Sequence, residues 1–176
     1  MLSAAISFFI LAFLAQPSLA DPVIDPSILK KFKFNTWSGR CSTLETLIDK
    51  KLDKFETNKT KHYERYITLK ERISEKVNSW EKAGYDVNKL NEDLHTLDDK
   101  IKKFASDYAT YIDKLANTKK HTCSATETEY KDTLKEARNA LKDVRKDVVD
   151  IKTFYWTTVR QDILALKEQK ISNSGE

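Results

Sequence analysis

Glu92 and His95 stand three residues apart, the spacing that sets a carboxylate and an imidazole on one face of a helix, as di-iron bundle proteins use to hold metal. Such a centre needs a second Glu-x-x-His and two more inward carboxylates. The chain holds one copy, beside seam residues Leu94 and Leu97, so the pair reads as a surface pair and no metal or other cofactor is expected. His121 and Cys123 could join Cys41 as metal ligands, but a simple disulfide is the stronger reading of two cysteines in an exported chain. Lys59, His62, Tyr108 and Tyr111 form a third set. The first two interrupt an apolar helical seam, and folding back about Gly84 brings the tyrosines to roughly the same depth. A polar layer that fixes helix register is expected there, ahead of a ligand site.

The chain contains no glycine-rich phosphate loop, nucleophile elbow or plausible serine or cysteine triad, so no enzyme activity and no catalytic residues are expected. Thirty-one basic and 27 acidic residues give a net charge of +4, with both signs mixed and no run of five like charges. That pattern describes a solvated surface rather than a nucleic-acid footprint. Asn58-Lys59-Thr60 is a glycosylation sequon, which matters only in a eukaryotic source.

These residues need long helices to position them. Prolines 17, 22 and 26 are the only ones, and glycine occurs at 39, 84 and 175 alone, so helix breakers are nearly absent beyond Ser27. Ser42-Thr43-Leu44-Glu45 has the form of a capping box and starts a helix over about 42–83, with the seam Ile48, Leu52, Phe55, Lys59, His62, Tyr66, Leu69, Ile73, Lys76, Trp80. Gly84 suits a left-handed turn, and Asp86 can cap the next helix, about 87–117. There Val87, Leu90, Leu94, Leu97, Ile101, Phe104, Tyr108, Tyr111 and Leu115 keep heptad spacing.

Thr118 to Thr122 reads as a break. Ser124-Ala125-Thr126-Glu127 is a second capping box, opening a helix over about 125–169 with Tyr130, Leu134, Ala137, Leu141, Val144, Val148, Ile151 and Tyr155. The apolar set then moves to Val159, Ile163 and Leu166, a stutter expected to unwind the supercoil locally. Phe154, Tyr155, Trp156, Val159 and Ile163 exceed what one seam can bury. Packing on Trp80, Tyr85 or the leader is the first expectation, and a protein-binding patch the second.

The fold expected is all-α: an antiparallel three-helix bundle or coiled coil of long helices over residues 41–170, with a short N-terminal helix packed on it. Residues 1–20 read as a signal peptide, 21–40 as a leader and 171–176 as a disordered tail. No stretch after the signal is apolar enough to span a membrane, so no membrane insertion is expected after cleavage. Cys41 and Cys123 fall at the starts of the first and third helices, which antiparallel packing puts at one end, so one disulfide fits. Closing a loop of 82 residues would stabilise the fold by up to roughly 4.5 kcal/mol.

A set of fragments adds to this: Arg40-Cys41, Phe55-Glu56-Thr57-Asn58-Lys59 with His62, Gly84-Tyr85-Asp86, Leu97-Asp98-Asp99-Lys100-Ile101, Cys123, and Val159 to Lys167. On these, over nearly all of the mature chain, the protein resembles an uncharacterised family of secreted, disulfide-containing helical-bundle proteins of ultra-small, candidate-phyla bacteria. Gln161 stands where that family is expected to have proline. The resemblance implies an exported bacterial bundle and brings no activity or functional residues with it. The function expected is that of a non-enzymatic interaction or structural protein of the cell envelope, with an unidentified protein partner. A holdase-type chaperone of the envelope, gripping unfolded clients, is the alternative.

Overall fold

The computed structural model describes residues 38–173 except residue 125. The expected signal peptide and nearly all of the leader lie outside the described residues. The described chain is all-α: α1 (Ser38–Lys82), α2 (Asn88–Ser124), α3 (Glu127–Phe154), a π-helical turn π1 (Tyr155–Val159) and α4 (Arg160–Asn173). From α3 through α4 the chain runs as one continuous third helix, so the bundle has three long helices, as heptad spacing predicts.

The turn between α1 and α2 follows from Gly84. Its φ of 83° is left-handed, which lets the Tyr85 N–H reach the Trp80 carbonyl at 3.1 Å and the Gly84 N–H reach that of Glu81 at 2.9 Å. This is a Schellman closure, and Asp86 then accepts the Asn88 N–H at 3.1 Å to start α2.

Elsewhere the helix ends depart from expectation. α1 starts at Ser38, so Ser42 is an interior residue whose carbonyl accepts the Thr46 hydroxyl at 3.0 Å, and the first capping box is not used. α2 does not stop at 117 but runs to Ser124. Thr118 and Thr122 look like a break yet continue the buried stripe. Their hydroxyls donate to the carbonyls of Lys114 and Lys119 at 2.9 and 2.7 Å, so they enter the core already satisfied.

The third helix is capped by Thr126 rather than Ser124. Thr126 Oγ1 accepts the Glu129 N–H, and the Glu129 carboxylate accepts the Thr126 N–H at 2.7 Å, a capping box two residues later than expected. At the far end α4 reaches Asn173, so residues 171–173 are helical rather than part of a disordered tail.

The core is the heptad stripe of α2, with Leu90, Leu97, Ile101, Phe104 and Tyr108 almost wholly buried, enclosed by Leu44, Ile48 and Phe55 of α1 and by Leu141, Val144 and Ile151 of α3. In the last turns of α1, Val77 fills the seam position expected of Lys76. Lys76 instead lays its ammonium 5.6 Å from the Trp80 ring. α2 is the central helix of the three. Among the described residues, no Cα atom of α1 comes within 8 Å of one in α3, π1 or α4, whereas both outer helices approach α2 closely.

Candidate functional site

Cys41 and Cys123 form the disulfide, with Cα atoms 4.9 Å apart. Both lie inside helices: Cys41 in the first turns of α1, Cys123 in the last turn of α2 rather than before the third helix. The bond therefore ties α1 to α2 at the end opposite the Gly84 turn. Beside it Thr122 Oγ1 lies 3.2 Å from Glu45 Oε1, and Lys119 pairs with Asp49 at 2.7 Å.

The expected polar layer is an aromatic ladder. Phe55 meets Tyr111 edge to face at 4.9 Å, Tyr111 meets Tyr108 at 6.2 Å, and Tyr108 meets Phe104 at 5.5 Å. Phe104 in turn meets Tyr66 at 5.3 Å and His62 at 6.3 Å. Lys59 stands apart from it, 3.9 Å from Glu56 on its own helix. Burial holds the His62 imidazole below its ordinary pKa, helped by the Arg65 charge. Burial likewise pushes the Tyr66 phenol up to about 12 against the opposing pull of Arg65. Tyr108 is fully buried and its hydroxyl has no hydrogen-bond partner. The ladder is a packed aromatic layer with one buried hydroxyl, that of Tyr108, left without a partner.

The expected partner patch is divided by the fold. Tyr155 and Val159 are buried in the core, 1% and 0% exposed, and so cannot present themselves to a partner. Phe154, Trp156 and Ile163 are half-buried, with Lys100 over the Phe154 ring at 5.4 Å and Arg160 over the Trp156 ring at 4.9 Å. The stutter is the π turn itself. The Arg160 N–H bonds to the Tyr155 carbonyl, five residues back, so one extra residue is absorbed within a turn rather than by unwinding the supercoil. Gln161 Nε2 donates to the Trp156 carbonyl at 3.2 Å, in the turn where the bulge disturbs the regular ladder.

Glu92 and His95 are both exposed, in keeping with a surface pair. Among the described residues no cluster of three or more histidine, cysteine, aspartate or glutamate side chains could hold a metal ion.

Sequence reasoning missed the titratable groups between α2 and the third helix. Lys103 Nζ lies 2.6 Å from Asp107 Oδ2 and 2.7 Å from Asp147 Oδ1, and Lys89 Nζ lies 2.7 Å from Asp162 Oδ1. The carboxyl groups of Asp107 and Asp147 share the Lys103 ammonium, and those of Asp93 and Asp162 act on each other across the seam. Burial raises the carboxyl of Asp93 to about 6, with the Asp162 hydrogen bond and charge adding to it. Burial also raises Asp147, and the Asp107 pair adds to this, while Lys103 opposes it. Hydrogen bonding from Lys103 holds Asp107 low. Burial pushes Asp162 up, but the bonds with Asp93 and Lys89 outweigh it and hold it low.

A sequence signal for these pairs exists. Lys-x-x-x-Asp occurs at 89/93 and again at 103/107, two heptads apart on the flank of the α2 stripe. No protein-family model, curated protein or solved structure matches the chain.

Proposed function

We propose that this chain is an exported, non-enzymatic interaction or structural protein of the cell envelope, acting through the outer faces of its long helices. One observation carries the reading furthest. Between Phe55 and Leu69 no residue of α1 is fully buried, yet the helix is unbroken and presents Tyr63, 39% exposed, next to half-buried His62 and Tyr66. Aromatic side chains at the surface of a stiff helix, set among Lys59, Lys61 and Arg65, suit contact with another protein. The cysteine pair supports export, since disulfides persist in oxidising compartments, and the resemblance to exported bacterial bundles supports the envelope.

The test is photo-cross-linking in producing cells, with the probe at Tyr63 and, separately, at exposed Val149 on the third helix. A single reproducible partner captured from Tyr63 and not from Val149 supports the reading. Equal, diffuse capture from both positions counts against it.

A holdase is the second reading, favoured by the third helix approaching α2 but not α1, so that its release would uncover the apolar stripe of α2 without breaking the α1–α2 pair. Failure to slow aggregation of unfolded clients at several-fold molar excess removes it.

A further inference from the structure

A buried carboxylate oxygen without a donor is costly, because nothing replaces the hydration lost on folding. Three such oxygens lie along the seam between α2 and the third helix: Oδ2 of Asp93, of Asp147 and of Asp162. The Asp147 side chain is only 3% exposed. Each belongs to a carboxyl pair, Asp93 with Asp162 and Asp147 with Asp107. Each pair sets two carboxyl groups against one ammonium: Lys103 touches both Asp107 and Asp147, whereas Lys89 touches Asp162 and acts on Asp93 through its charge. One negative charge is then left over, and a proton shared between the carboxyls both cancels it and supplies the missing donor.

The two pairs are structural repeats of each other. From Lys103 and Asp107 to Lys89 and Asp93 is a step of fourteen residues down α2, whereas from Asp147 to Asp162 is a step of fifteen up the third helix. The extra residue is the one absorbed in π1, which lies between Asp147 and Asp162. The π turn therefore keeps the second pair in register with the first.

We propose that Asp93–Asp162 and Asp107–Asp147 are two proton-binding sites that clasp the third helix to α2 and loosen it when they lose their protons. α1 is not free to move in the same way, being tied to α2 by the disulfide at one end and the Gly84 turn at the other. The charged groups acting on Asp93 are Lys89 and Glu92 on its own helix and Asp162 across the seam. Those acting on Asp147 are Lys103 and Asp107, both on α2.

An acid whose folded pKa lies above its unfolded value adds stability at low pH, and that stability is lost as pH rises through the folded value. For Asp93 the loss runs from about 4 to about 6 and is complete above it. His62, held low, has the opposite sign, lowering stability as pH falls below about 6.5, so the two effects must be separated by variants.

The test is a carbon-13 NMR titration of the aspartate carboxyls in the full chain, from pH 4 to 8, with urea unfolding at pH 5 and 7.5. Asp93 is expected to titrate near 6 and Asp147 above the ordinary aspartate range, and Asp162→Asn should return Asp93 toward that range. Asparagine mimics a protonated aspartate, so Asp93→Asn with Asp147→Asn should abolish the fall in urea midpoint between pH 5 and 7.5. Ordinary titration of Asp93 and Asp147 in the native chain, or a fall that persists unchanged in the double variant, overturns the proposal. If the double variant does not fold, the native titration decides alone.

Discussion

Lys103 Nζ touches Asp107 Oδ2 at 2.6 Å and Asp147 Oδ1 at 2.7 Å, so one ammonium bridges carboxyl groups from two helices, one of them almost wholly buried. Its own hydrogen bonds, first to Asp107 and then to Asp147, raise the Lys103 pKa above the ordinary lysine value. Replacing it by methionine keeps the stem and removes the charge. Lys103→Met is expected to destabilise the fold by about 3 kcal/mol at pH 7.5, because Asp147 is left buried against a second carboxylate. The loss should shrink at pH 5, where a proton can replace the lysine. Urea unfolding at both pH values measures it, and an equal loss at both would show that Lys103 acts by packing alone.

The disulfide spans 82 residues and joins the open end of the α1–α2 pair. Cys41→Ser with Cys123→Ser is expected to cost about 2–5 kcal/mol. Thermal unfolding of the double variant against the oxidised protein checks it. A melting temperature that does not fall would mean that Thr122, Glu45, Lys119 and Asp49 already hold that end.

Tyr108 buries a hydroxyl with no partner at the centre of the aromatic ladder. Burial raises its phenol pKa, so ionisation is not a route to satisfying it. Tyr108→Phe removes an unsatisfied group while keeping the ring, and the variant should be as stable as the native protein or more so, by up to about 1 kcal/mol. A loss of more than about 1 kcal/mol would reveal a hydrogen bond to the phenol.

The π turn gives a length test. Deleting Thr157, an exposed residue within π1, should turn the bulge into regular α-helix and keep Tyr155 and Leu166 on the core face, with stability changed by no more than about 1 kcal/mol. Deleting exposed Lys135, six residues before Leu141, instead rotates the rest of the third helix by about 100° and should unfold it. Circular dichroism melts of both variants compare them. Equal damage from the two deletions would contradict a register role for the bulge.

The helices were legible because spacing alone separates a heptad stripe from a charged surface, and the apolar stripe that begins at Val87 and runs along α2 to Leu115 is buried as its spacing predicts. Gly84 and Asp86 were legible as turn and cap for a similar reason, since few residues suit those positions. What failed was chemistry at stripe positions. Thr118 and Thr122 carry hydroxyls that argue for a break until local carbonyls satisfy them, and Ser42 and Ser124 offer caps that the longer helices bypass. The carboxyl pairs were hidden more deeply. A flank aspartate reads as solvated, and only the packing of the third helix on α2 brings Asp147 against its partners, with π1 keeping Asp162 in register beyond it.

Hydrogen–deuterium exchange of the full oxidised protein at pH 5.5 and 7.5, corrected for intrinsic exchange rates, tests most directly whether the third helix is the releasable element on a fixed α1–α2 pair. Protection of residues 127–173 should fall at the higher pH while that of the inner turns of α1 and α2 holds. A uniform change along all three helices, or one confined to α1, would contradict it.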